Sequence, residues 1–325
     1  MIGYYVHHHG AGHAHRALSL ARHLDGEVTG LSSGPAPHGW PGEWVALERD
    51  DAEPVLDPGA HGQLHWAPLR HEGHTARMAR IARWIDEVRP RAVVVDVSVE
   101  VALLCRLLGI PVVTVLQPGE RRDRAHQLGF AISDRLVAPW PAAATGMLTG
   151  VDPPDPRLVH VGGMSRFDDR VRRAPSRARR VLVLLGRGGH GIRSHDLAHA
   201  VGATPDWSWQ VVGPDEWVDD PWELLQESDV VVTHAGQNAL AEVAAARRPA
   251  IVVPQPRPHG EQLATAEVLG DQSEWPVLVR GRFGSPDWPA LLAVAGALDG
   301  EAWRSWNDGR GGARFAKVVE AVAAS

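Results

Sequence analysis

The sequence predicts a mostly parallel α/β protein built from two Rossmann-like units, and three observations lead there. Short apolar runs alternate with amphipathic helical stretches along most of the 325 residues, the pattern of parallel strands covered by helices. Residues 139–156 hold five prolines and two glycines with little periodicity, which marks a linker between two such sets. The length and the 44% hydrophobic content suffice for two cores of ordinary size.

The elements follow in order. Residues 2–6 form an apolar strand, and residues 14–24 an amphipathic helix with apolar positions at Ala17, Leu18, Leu20, Ala21 and Leu24. Strands over 28–31 and 44–47 precede a loop rich in His, Pro and Gly that ends near Glu72. A helix over 74–88, a buried strand over 92–97, a helix over 99–108 and strands over 111–116 and 135–138 complete the first set. Beyond the linker come a strand over 181–185, the loop Gly186-Arg-Gly-Gly-His-Gly, a helix near 195–201, a strand over 209–212 and a helix over 221–227. The last apolar helix covers about 313–324.

Composition narrows the function. A formal net charge of −6 argues against a general nucleic-acid binder. The arginine runs at Arg121-Arg122-Asp123-Arg124 and between Arg172 and Arg180 read as solvated faces. No run of about 18 uncharged apolar residues exists, and residue 1 leads straight into a strand without a basic-then-apolar leader. The expected location is therefore cytoplasmic, with peripheral membrane contact at most. The single cysteine, Cys105, falls in an apolar helical pattern and is expected to pack.

The most informative stretch is Asp229-Val-Val-Val-Thr-His-Ala-Gly-Gln-Asn-Ala-Leu-Ala-Glu-Val-Ala-Ala-Ala, followed by Arg247-Arg-Pro-Ala-Ile-Val-Val-Pro and a polar loop ending in Glu261-Gln262. It reads as a βαβ unit whose turn, His234-Ala235-Gly236-Gln237-Asn238, lies beyond the carboxyl end of a parallel strand, where such sheets bind ligands. The helix opening there offers unpaired amides and a positive dipole end suited to phosphate. Glu242, about 1.5 turns into that helix, can accept hydrogen bonds from a vicinal diol such as a ribose; a solvated helix face is the alternative. The loop after the first strand, His7-His8-His9-Gly10-Ala11-Gly12-His13-Ala14-His15-Arg16, places His13 at a helix start over the sheet's carboxyl edge, where an imidazole can take a proton from a hydroxyl. A metal reading of this loop is weaker, because strand alternation would split the first histidines between two faces and no carboxylate accompanies them. Gly186, Gly188 and Gly189 follow a strand and can cradle an anion, although the loop is not a Walker motif. Asp96 and Gln117 end buried strands and point toward the cleft, or cap the helices that follow.

Thr233-His-Ala-Gly-Gln-Asn-Ala-Leu-Ala-Glu-Val-Ala-Ala-Ala-Arg-Arg-Pro-Ala-Ile-Val-Val-Pro and then Gly260-Glu-Gln-Leu-Ala-Thr-Ala resemble the donor-nucleotide signature of GT-B glycosyltransferases. The likeness is to family 28, the peptidoglycan N-acetylglucosaminyltransferase-like enzymes. Gly10-Ala-Gly-His-Ala-His-Arg is similar to their first loop, and to that of the related nucleotide-sugar hydrolase of the pseudaminic acid pathway. The resemblance implies a GT-B fold of two Rossmann-like domains facing across a cleft. An acceptor domain would cover 1–156, a donor domain 157–310, and a helix over 311–325 would cross back to the first. It further implies that the turn from His234 and Ala235 to Gly236, Gln237 and Asn238 holds the donor diphosphate. Glu242 would hold the ribose, Glu261 with Gln262 the sugar, and Trp217 with Val218 the base. Gly186, Gly188 and Gly189 would face the donor phosphates, with His13 as catalytic histidine and His9, Gly12, Asp96 and Gln117 toward the acceptor. Many relatives have Gly-Gly and a small residue where this chain has Ala235-Gly236-Gln237-Asn238, so backbone rather than side-chain contacts to phosphate are expected.

The function implied is inverting, metal-independent transfer of a sugar from a nucleotide-diphosphate donor, a UDP-sugar, to the hydroxyl of a small-molecule or lipid-linked acceptor. No cofactor, metal ion or nucleic acid is expected. Two rivals keep the same site: a nucleotide-sugar hydrolase, with water as acceptor, and a nucleotide-sugar binding protein without turnover. A dinucleotide oxidoreductase fits less well, since the first βα turn lacks the full glycine fingerprint.

Overall fold

The computed structural model describes residues 1–8, 10–52, 55–151, 155–186, 191–214, 216–271, 274–284 and 287–325. Its first sheet is parallel throughout and has seven strands among the described residues: β1 (Ile2–Val6), β2 (Val28–Ser32), β3 (Glu43–Ala46), β4 (Ala92–Asp96), β5 (Val112–Val115), β7 (Arg135–Ala138) and β9 (Leu158–His160), in the spatial order β3-β2-β1-β4-β5-β7-β9. The short strands β6 (Gly119–Glu120) and β8 (Leu148–Thr149) pair separately. The second sheet, also parallel, runs β11-β10-β12-β13-β14, from β10 (Arg180–Leu184), β11 (Ser208–Val212), β12 (Val230–Thr233), β13 (Ala250–Val252) and β14 (Val277–Val279). The central strands β1 and β4 are valine-rich or aromatic and buried along their whole length, as strands covered on both faces must be.

Helices cover both faces of each sheet. They are α1 (Ala11–Ala21), α2 (Glu72–Val88), α3 (Val99–Leu107) and α4 (Arg124–Ile132) in the first half, then α5 (Ser194–Ala203), α6 (Trp222–Glu227), α7 (Gln237–Ala246), α8 (Glu261–Asp271), α9 (Trp288–Ala295) and α10 (Gly311–Ala324). One face of the first sheet packs Tyr5, Val93 and Val95 against Ile81, Trp84 and Cys105 of α2 and α3. Burial pushes the Cys105 thiol up to about 12, so it serves as a packing group. The other face packs Val6, Val94 and Val113 against Leu20 of α1 and Phe315 and Val319 of α10. The last helix of the chain thus docks on the first sheet. A single apolar cluster continues from Leu116, Phe130 and Met147 through Phe167 to Leu182, Val231, Leu240 and Trp303, so the two halves share core. Among the described residues no helix is long and apolar enough to cross a membrane.

Four sequence expectations shift. Helix α1 begins at Ala11, not residue 14, which puts His13 inside its first turn. Strand β9 lies beyond the break expected after residue 156 yet pairs with β7 in the first sheet; its three half-buried residues are too few to show a period. Arg121 is buried, with its guanidinium donating to the Pro118 carbonyl at 2.9 Å, and Asp123 caps α4 by accepting from the His126 amide. Of the first arginine run Arg121 alone departs from a solvated face; Arg122, Asp123 and Arg124 are exposed and lead into α4. The strand alternation invoked for the first histidines does not reach His7 and His8, because β1 ends at Val6; their rings stack with centroids 5.1 Å apart.

Replacing Phe315 with Ala removes a side chain with no exposed surface from the α10 contact. The expected cost is about 3–5 kcal/mol of unfolding free energy in denaturant titration; a loss below roughly 1 kcal/mol would mean that α10 is not held by this packing.

Candidate functional site

In both sheets the strand order reverses next to the first strand of the unit, between β1 and β4 and between β10 and β12. A crevice at the carboxyl ends is expected at each such point. The two crevices face each other. The amino end of α1 and the amino end of α7 approach so closely that a Cβ at Gly12 would overlap the Asn238 side-chain amide. Gly236 is the N-cap of α7 and offers no side-chain cap, which leaves the first-turn amides and the positive helix end available to an anion.

A cavity of about 300 Å³ lies between these ends. Among the residues lining it are Gly12, His13, Gln117, Gly186, Trp217, Val218, Glu261 and Gln262, together with the whole turn from His234 and Ala235 through Gly236, Gln237 and Asn238 to Glu242. The sequence-expected donor residues that the structure describes are therefore brought together. His9, Gly188 and Gly189 lie outside the described residues. A second cavity, of about 660 Å³, abuts the first at His13, Gln117 and Glu261 and extends between α2, α3 and α4.

Asp96 sits behind His13 at the end of β4 and is fully buried. It accepts from both Arg16 Nη1 contacts, at 3.0 and 3.1 Å, from the Tyr4 hydroxyl at 3.2 Å and from Gln117 Nε2 at 3.4 Å. His13 Nδ1 lies 3.0 Å from Asp96 Oδ1, a close ion-pairing distance without a straight hydrogen bond. Asp96 thus caps no helix; Ser98 caps α3 instead. Burial alone would raise its pKa, but Arg16 and His13 outweigh that and hold the carboxyl at about 2. A carboxylate facing Nδ1 favours the tautomer protonated there and leaves Nε2 as the basic nitrogen.

Glu242 is buried rather than on a solvated face, because α7 is covered along its whole length after the first turn. Burial raises its pKa, and the Arg166 guanidinium, whose Nε donates to Oε1 at 2.8 Å, opposes the rise. Arg166 also donates to the Asp219 carbonyl at 2.6 Å, and Trp217 Nε1 donates to the Asp219 carboxylate at 2.6 Å. His234 holds the turn through Nδ1, 2.7 Å from the Val253 carbonyl. Gln262 Oε1 accepts the Gln255 amide at 2.9 Å. Gln237 Oε1 accepts from Arg16 Nη2 at 2.9 Å, while its Nε2 is buried without a hydrogen-bond partner. A buried amide donor left unsatisfied on a cavity wall suits an acceptor atom supplied by a ligand. Arg166 escaped the sequence reading, and Arg16 entered it only as the end of the first loop with no role of its own, since each gains its meaning from a partner more than 70 residues away.

The glycosyltransferase family 28 C-terminal domain matches residues 211–278. A curated relative from Sorangium cellulosum (strain So ce56), named UDP-N-acetylglucosamine--N-acetylmuramyl-(pentapeptide) pyrophosphoryl-undecaprenol N-acetylglucosamine transferase, is 28% identical over 279 residues, covering 72% of this chain and 67% of the relative. The glycosyltransferase of kitacinnamycin superposes with a TM-score of 0.70 at 18% identity, covering 99% of this chain and 98% of that one. MurG of Acinetobacter baumannii gives 0.62 at 16% identity, covering 98% and 99%. At such identities the two structures speak for a shared GT-B fold.

The depressed pKa of Asp96 has a pH consequence. Its folded value of about 2 lies below the ordinary 3.8, so its contribution is fully present above about pH 4 and is lost as pH falls through 2. Asp96→Asn should cost about 3–5 kcal/mol at pH 7, because Arg16 loses its buried counter-charge. That deficit should shrink by roughly 2 kcal/mol at pH 2. A deficit independent of pH in paired denaturation curves would contradict the assignment.

Proposed function

Because the chain is a GT-B glycosyltransferase akin to family 28, we propose that it moves a sugar from a UDP-sugar to an acceptor hydroxyl, with inversion and without a metal ion in the chemistry. The observation that carries this reading is the uncapped amino end of α7, with the unpartnered Gln237 amide, facing His13 across one cavity. The donor diphosphate lies against the α7 amides and Gln237, Glu242 accepts the ribose hydroxyls, and the base lies by Trp217 and Val218. Glu261 and Gln262 hold the sugar. The donor class rests on the UDP-linked substrate in the name of the Sorangium relative.

The acceptor occupies the larger cavity, so its hydroxyl meets the sugar at His13. Nε2 takes the hydroxyl proton as the oxygen attacks the anomeric carbon from the face opposite the diphosphate, and the bond from that carbon to the phosphate oxygen breaks. Asp96 stabilises the imidazolium that forms, and the α7 amides stabilise the charge on the leaving diphosphate. The walls of the larger cavity mix Trp66, Met78 and Phe130 with histidines, and about 660 Å³ lies within the range of small-molecule sites. We therefore favour a small, part-apolar acceptor over a lipid-linked one.

Two variants separate binding from chemistry. Glu242→Gln should raise the donor KM about ten- to a hundredfold, the effect of losing a charged hydrogen bond to the ribose. His13→Ala should lower kcat roughly 10²–10⁴-fold with UDP affinity nearly unchanged. An unaltered donor KM in the first, or retained turnover in the second, would remove that residue from its role. Release of free sugar at the same rate without any acceptor would make water the acceptor.

A further inference from the structure

Three histidines from separate segments meet at the rim of the larger cavity. His65 lies in the loop before α2, His126 in the first turn of α4, and His259 in the turn Pro258–Gly260 that enters α8. One ring nitrogen from each lies within 4.8 Å of the others. The His65 and His126 centroids are 4.1 Å apart, and those of His126 and His259 are 4.9 Å apart. All three line the larger cavity, and none lines the smaller one.

A carboxylate lies against two of the three rings. Asp123 Oδ1 lies 3.1 Å from His65 Nε2, and Asp123 Oδ2 lies 2.5 Å from His126 Nδ1. Two imidazole nitrogens thus already converge on one carboxylate, with the third ring alongside. His259 reaches this place in a left-handed backbone conformation, φ 57°, which costs a non-glycine residue about 1 kcal/mol or more. Its carbonyl packs against Gly119, φ 100°, where a Cβ would collide with it.

We propose that His65, His126 and His259, with Asp123 as oxygen ligand, form a divalent transition-metal site of the zinc type that ties the second half of the chain to the first at the mouth of the larger cavity. Three imidazoles and one carboxylate make a complete tetrahedral set for such an ion. With metal–ligand distances near 2.0–2.1 Å the nitrogens must close to roughly 3.3 Å, which needs side-chain rotation of about an ångström. The ring proton now facing Asp123 on each of His65 and His126 moves to the other nitrogen of that ring when the metal takes its place. Arg121, whose Nη1 lies 3.2 Å from His126 Nε2, must then turn away, because that nitrogen becomes a donor. The bound ion pins the two halves to each other at the cavity rim and takes no part in sugar transfer, since its ligands lie outside the donor cavity.

Tag-free full-length protein, stripped with chelator and desalted, is titrated with zinc chloride alone by calorimetry, and with cobalt(II) by absorption in the visible range. A single equivalent should bind with a dissociation constant on the order of micromolar or tighter, with the intense visible bands of tetrahedral cobalt. His259→Ala and His65→Ala, whose rings are at least partly solvent-exposed, should keep the metal-free melting temperature and weaken binding at least about ten- to a hundredfold. Arg121→Gln should bind no more weakly than the unchanged chain, since no guanidinium must be displaced. Zinc should raise the melting temperature of the unchanged protein and not that of His259→Ala. Absence of binding below roughly 100 µM, or equal affinity in the His65→Ala/His259→Ala double variant, would overturn the site and, in the second case, place the metal elsewhere.

Discussion

A carboxylate with no exposed surface must be neutralised, and the way Asp96 is neutralised organises the cleft. Left alone at the end of β4, its charge would cost several kcal/mol. Arg16 answers it with one guanidinium nitrogen, and the other nitrogen of the same side chain reaches Gln237 on α7. One residue on the first helix therefore satisfies a buried charge and fixes the register of the opposite unit. His13, one turn earlier on that helix, is carried to the same carboxylate. Substitution of Arg16 would disturb His13, the turn from His234 to Asn238 and the core together.

The close passage of Gly12 over Asn238 follows from the same constraint. Two helix amino ends, each with a positive dipole, are set against one another, an arrangement that repels unless an anion lies between them. The shared apolar cluster through Phe167 and Trp303 holds the halves at that distance. In the proposed transfer a leaving diphosphate is the anion produced at this point, so ground-state repulsion and transition-state attraction arise from one arrangement.

Much of this was legible in the sequence, and the reasons are specific. The turn 234–238 stood out because a buried strand, a single glycine and an alanine-rich helix follow one another within a few residues. His13 stood out because two glycines precede it at a strand end. Glu242 drew notice as a lone carboxylate in an apolar helix, but its burial and its bond to Arg166 did not, because Arg166 lies in a segment with no period of its own. Strand β9 and helix α4 were missed for related reasons. Three residues cannot display alternation, and an arginine-rich entry masks a helix whose cap, Asp123, resembles one more surface charge. The cluster of His65, His126 and His259 joins residues up to 194 positions apart; nothing local marks it.

In the proposed reaction two opposed helix ends hold the diphosphate of a nucleotide sugar. Calorimetric titration of the full chain with UDP and with uridine tests it most directly, because the two ligands differ only in the group those ends would bind. Charged hydrogen bonds to the α7 amides and Gln237, with the dipole term, should make UDP bind by about 3 kcal/mol more, roughly a hundredfold. Equal affinity for uridine and UDP would mean that the helix ends hold no diphosphate.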